Sequence, residues 1–94
     1  MLDYSKGFKM STYPSSKITW VIYPANGFSE WVETFCADGD GLVIVARLKL
    51  GFYIVLNQGM YIQSFQHLND ALECAQDVLE EDFPEVFEQN KHTV

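Results

Sequence analysis

Apolar and polar positions along this chain follow two different periods. From residue 17 to residue 66 they alternate, or run apolar in short blocks between turns. From Leu68 to Phe83 they recur at helical three-and-four spacing. The first region predicts strands. In Lys17–Tyr23, Ile18, Trp20 and Ile22 alternate with Thr19, Val21 and Tyr23, and both sets are β-prone. Pro24-Ala25-Asn26-Gly27 predicts a turn, because proline presets φ and glycine tolerates positive φ. Leu42–Leu50 is the clearest strand, with Leu42, Ile44, Ala46, Leu48 and Leu50 on one face. Val43, Val45, Arg47 and Lys49 share the other. Gly51 turns the chain into Phe52–Leu56, which is apolar on both faces and so expected to be central. Asn57-Gln58-Gly59 turns it again into a strand from Met60 to Gln66.

Residues 28–37 fit both periods. Phe28, Trp31, Val32, Phe35 and Cys36 share one helical face, yet Trp, Val, Thr and Phe favour strands. The segment has no helix cap and lies between two turn signals, so the balance favours a strand.

The helical stretch is two-sided. Leu68, Ala71, Leu72, Ala75, Val78, Leu79 and Phe83 form an apolar stripe that must be buried, and a sheet is nearest in sequence. Asn69, Asp70, Glu73, Gln76, Asp77, Glu80, Glu81 and Asp82 fall between them. His67 or Asn69 is placed to cap the start, and Pro84 ends the helix by disfavouring α geometry at Phe83. Asp82-Phe83-Pro84-Glu85 has capping-box spacing with Asp82 as cap, which predicts a short helical turn through Val86 and Phe87. The expected fold is α+β: an antiparallel β-meander of four to five strands with one amphipathic C-terminal helix packed on one face. Residues 17–88 are expected to form this single domain. Residues 1–16, with Tyr4, Phe8 and Tyr13, read as a loose arm, and residues 89–94 as a frayed tail.

Charge changes the picture. The net charge is −7, and it is unevenly placed. Residues 1–49 carry five basic and five acidic side chains, whereas residues 50–90 carry eight acidic ones and no Lys or Arg. Asp70, Glu73, Asp77, Glu80 and Glu81 form an uncompensated acidic face on the predicted helix. Like charges four apart, as in Glu73–Asp77 and Asp77–Glu81, cost a helix about 0.2–0.5 kcal/mol each. Such a face is either a solubility feature or a docking surface for a basic partner. Direct nucleic-acid binding by this half is not expected, because that affinity comes from Lys and Arg displacing counterions.

No motif announces an enzyme. Asp38-Gly39-Asp40-Gly41 starts like a calcium loop, but Leu42 and Val43 stand where an oxygen ligand and a glycine are needed. It is therefore expected to be a hairpin turn. Cys36, Cys74, His67 and His92 lack zinc-ligand spacing, so no metal is expected. His67 and Cys74 stand about 10 Å apart along a helix, too far for a nucleophile–base pair. The two cysteines are expected as buried thiols. No glycine-rich phosphate loop is present, and no cofactor is expected. No segment is apolar and long enough to span a bilayer, and no apolar leader opens the chain, so a cytoplasmic location is expected. Were residues 28–37 helical, the order helix, three strands, helix would resemble double-stranded-RNA-binding domains in topology. Those domains meet phosphates with lysines at the start of the last helix, where this chain has Asn69 and Asp70.

The expected function is therefore that of a non-enzymatic acidic protein. It would bind and inhibit a basic nucleic-acid-binding protein or nuclease through Asp70, Glu73, Asp77, Glu80 and Glu81. Its size and charge are similar to those of phage and mobile-element inhibitors, anti-CRISPR proteins among them, and the five carboxylates are expected to mimic a row of phosphates, as a DNA mimic would. The alternatives are an immunity protein or antitoxin of a toxin pair, or a self-associating structural or adaptor module, including a homodimer through the sheet.

Overall fold

The computed structural model describes residues 9–11, 17–24, 30–37 and 41–91. The turn at 25–27, the loop at 38–40, the aromatic residues Tyr4, Phe8 and Tyr13, and His92 lie outside the described residues.

The fold is α+β. Among the described residues six strands, β1 (Lys9–Ser11), β2 (Trp20–Pro24), β3 (Trp31–Ala37), β4 (Val43–Leu48), β5 (Tyr53–Asn57) and β6 (Met60–Phe65), form one sheet in the order β1-β2-β3-β4-β5-β6. Every neighbouring pair is antiparallel, so the sheet is a simple meander. Two helices follow, α1 (Leu68–Asp82) and α2 (Pro84–Asn90). Residues 31–37 are a strand, which rules out the helix-first order of double-stranded-RNA-binding domains. The sixth strand comes from Lys9–Ser11, inside the stretch expected to be a loose arm. Three residues are too few to show a period, so this strand is specified by its partner β2 rather than by its own pattern.

Turn chemistry sets the registers around the helix-bearing end. Gln58 and Gly59 both have positive φ, 53° and 83°, between the paired residues Asn57 and Met60. Two successive left-handed residues make the tight hairpin that matches the right-handed twist of the strands. At the β4–β5 turn the Gly51 N–H donates to the Leu48 carbonyl (2.9 Å), and Gly51 takes φ 100°. That arrangement, a turn closed by a left-handed glycine, defines a three-residue hairpin.

The main core lies between the sheet and α1. Trp20, Phe35, Val43, Val45 and Val55 rise from one sheet face to meet Ala71, Leu72, Ala75 and Leu79. The small Ala71 and Ala75 let the helix lie close to the strands. The other face buries Val21, Cys36, Ala46 and Leu56 as well. The face of β4 carrying Val43 and Val45 is thus the one that meets the helix.

Two readings near the C-terminus are corrected. The cap of α2 is Phe83, with no side-chain hydrogen bond, and Asp82 belongs to the last turn of α1. The Asp82 carboxylate instead accepts a hydrogen bond from Asn57 Nδ2 (2.8 Å). Pro84 at the first turn of α2 presets helical φ, which replaces the missing cap. Residues 89 and 90 complete α2, Lys91 pairs with Ile18, and Thr19 N–H donates to Asn90 O (3.1 Å). Phe87 fills the core beneath them, almost fully buried.

Candidate protein-docking site

The acidic row sits where helix α1 overhangs the last strand. After β6 the chain needs only Gln66 and His67 to turn back over the sheet. His67 is the cap, in extended conformation (φ −120°, ψ 136°), and makes no side-chain capping bond. Its carbonyl accepts the Ala71 N–H (3.2 Å), which opens the helix. From there α1 packs mainly on β4 and β5 and only lightly on β6. The helix-side surface of β6 is left partly bare.

That bare strip is the floor of an open groove of about 320 Å³. Gln63 and Phe65 of β6 form the floor, and Cys74 and Val78 form the inner wall. Asp70, Glu73, Asp77 and Glu81 line the rim. Four of the five carboxylates singled out from sequence are therefore brought together along one side of the helix. Glu80 is exposed but does not line the groove. Asp70 and Glu81 are eleven residues apart, about 16 Å along a helix axis.

The rim is electrostatically uncompensated. The ion pairs among the described residues are Arg47–Glu33 (3.2 Å) and Lys91–Glu88 (3.5 Å), and neither touches the rim. No basic residue occupies the last turn of α1, where the helix dipole would favour one. Cys74, on the groove wall, has its thiol pKa pushed above the ordinary 9.0, first by burial and then by the neighbouring Asp77 carboxylate. Cys36 is buried as expected, but Cys74 is half-buried on the groove wall, and the shift lowers its thiolate fraction. Among the described residues, no three His, Cys, Asp or Glu side chains converge as a metal site. No helix of the described residues is long and apolar enough to cross a membrane.

Sequence reasoning placed a strand beneath the rim, from Met60, but did not weigh its exposed edge. Among the described residues β6 is an edge strand, with β5 as its one strand neighbour. Met60, Tyr61 and Ile62 are 71%, 61% and 42% exposed. The strand, Met-Tyr-Ile-Gln-Ser-Phe, contains no lysine and no proline, the residues that commonly protect an edge from pairing. That composition was the signal available in sequence; its edge position was not. Gln76 was also misplaced by the pattern. Read as an outer-face residue, it is 4% exposed, and its Oε1 accepts the Lys17 N–H (2.6 Å).

No protein-family model, curated protein or solved structure matches this chain.

Proposed function

We propose that this protein is a non-enzymatic acidic inhibitor that binds a basic nucleic-acid-binding protein or nuclease through the outer side of α1. The observation that carries this reading is the row Asp70, Glu73, Asp77 and Glu81 along one groove rim, with no ion pair among the described residues. The four charges of the row recur about every 5.5 Å along the helix axis. They form a one-signed line, sparser than the one charge per about 3.4 Å of axis along a single DNA strand. A surface shaped to meet phosphates would meet this row with the same lysines and arginines. Long-range attraction would speed encounter, and the contact would weaken steeply with salt.

A catalytic reading has less support. The row lies on a convex, solvated helix, a poor setting for raising a carboxylate pKa to do acid–base work. The raised thiol of Cys74 points the same way.

The test is capture from a host lysate on the immobilised protein, at low and high salt, beside the double variant Asp77→Lys, Glu81→Lys. The expected result is a nuclease or nucleic-acid-binding protein that is released by salt, lost in the variant, and blocked from its nucleic acid by one equivalent of the wild-type protein. Capture that is equal with the variant overturns the reading.

A further inference from the structure

We propose that β6 accepts an extended, basic segment of the partner as a seventh strand, with alternate Lys or Arg side chains of that segment reaching the acidic rim of α1. This rests on the acidic-docking reading above and specifies how the partner is held.

The carrying observation is the edge itself. β6 has one strand neighbour among the described residues, so half of its backbone N–H and C=O groups point away from the sheet. None of them takes a backbone partner elsewhere among the described residues. An edge strand of this kind is a template for pairing, and β-strand addition is a recurrent way of binding peptides. The edge is also unusually apolar, through Met60, Tyr61 and Ile62. A bulge at Ile62, where the register shifts between Val55 and Leu56, leaves Gln63–Phe65 regularly paired beside the groove.

Charge chooses the occupant. The helix-side residues of an added strand would stand next to Gln63 and Phe65, below Asp70, Glu73, Asp77 and Glu81. Same-face residues of a strand recur about every 6.7 Å, so about three of them span the 16 Å of the rim. The fitting sequence is therefore basic at i, i+2 and i+4. The intervening residues would face the opposite side, where Tyr61 lies opposite Leu56, and apolar or aromatic side chains suit them. A second copy of this chain fits less well. Antiparallel pairing of two β6 edges keeps both helices on one face and brings the two acidic rims together, which like-charge repulsion opposes.

The probe is a synthetic nonapeptide alternating Lys with Val or Thr, blocked at both ends. Its comparison is the same peptide N-methylated on alternate residues, which keeps the charge but removes the pairing edge. Binding is followed by calorimetry, and amide hydrogen exchange is read across residues 60–65. The expected result is at least a tenfold weaker affinity for the methylated peptide, slowed exchange at outward β6 amides with the unmodified one, and loss of both effects in Asp77→Lys, Glu81→Lys. Equal binding of the two peptides, lost in the charge variant, overturns strand addition while the acidic-docking reading stands. Binding by neither peptide at low salt, or binding indifferent to the charge variant, overturns both. Protection of β6 amides that rises with protein concentration alone assigns the edge to a second copy and overturns the proposal.

Discussion

Gln76 on α1 receives the backbone N–H of Lys17, 59 residues away in sequence, at 2.6 Å. The bond ties the middle of the acidic helix to the segment that leads into β2, and among the described residues Gln76 is the one buried polar side chain. Gln76→Met keeps the shape but leaves the Lys17 N–H without its acceptor. Lys17 is itself exposed and the bond is part-buried, so water reaches the donor and the loss is about 0.5–1.5 kcal/mol, the net worth of an ordinary hydrogen bond. The expected outcome in urea is a lower midpoint at unchanged slope, because the folded and unfolded surfaces change little. An unchanged midpoint would show that water replaces Gln76 without loss.

Gln58 is the one residue other than glycine with positive φ among the described residues. The left-handed region costs most side chains about 1–2 kcal/mol, and Asn tolerates it better than Gln. Gln58→Asn is expected to raise stability by a few tenths to about 1 kcal/mol, measured as a higher thermal midpoint. The β5–β6 hairpin carries Asn57, which holds Asp82 at the end of α1, so a tighter turn also steadies the far end of the acidic row. A fall in the midpoint would show that the Gln58 side chain contributes more than its backbone conformation costs.

These residues also show where the sequence is readable. The meander and α1 were legible because their apolar positions repeat often enough to fix a period, and β3 was legible because its residue types outweigh its ambiguous spacing. Gln76 was not legible, since a polar side chain satisfied by a distant backbone group looks like a surface residue. Phe87 was not legible as a core residue, since α2 is too short to show a stripe. The acidic row could be read from spacing alone. The groove and the bare β6 edge could not, because they depend on where the helix comes to rest across the sheet. That position is set by the small Ala71 and Ala75 contacts and by the tight turn at Gln66–His67.

Cys74 gives a pH-dependent test. Its thiol pKa is raised in the folded protein, by burial first and by Asp77 second, so the folded state holds the proton more tightly than the unfolded chain. The associated stability is present in full below the ordinary value of 9.0 and fades as pH rises through the folded value. Iodoacetamide labelling of Cys74, read by peptide mass spectrometry, is expected to be slower in the folded protein than in urea, with its rise displaced to higher pH. Asp77→Asn should move the rise part of the way back, because burial remains. Labelling that follows the unfolded profile would contradict the buried setting of the thiol.

The acidic rim separates stability from function. In α1, Glu81 lies in the last turn, where the helix dipole disfavours a negative charge, and Asp77 precedes it by four residues. Glu81→Lys removes both penalties and places a cation where the dipole favours one. The expected outcome is a gain of about 0.5–1.5 kcal/mol in denaturant unfolding. A row kept only for solubility would tolerate that change with no loss elsewhere. A docking row would not: the same substitution should weaken binding of the alternating basic peptide and flatten its salt dependence, since one fewer charge pair forms. Measuring both quantities on one variant decides between them. A more stable protein that binds less well marks the row as a surface shaped for its partner. A more stable protein with unchanged affinity and salt dependence returns it to the role of keeping the domain in solution.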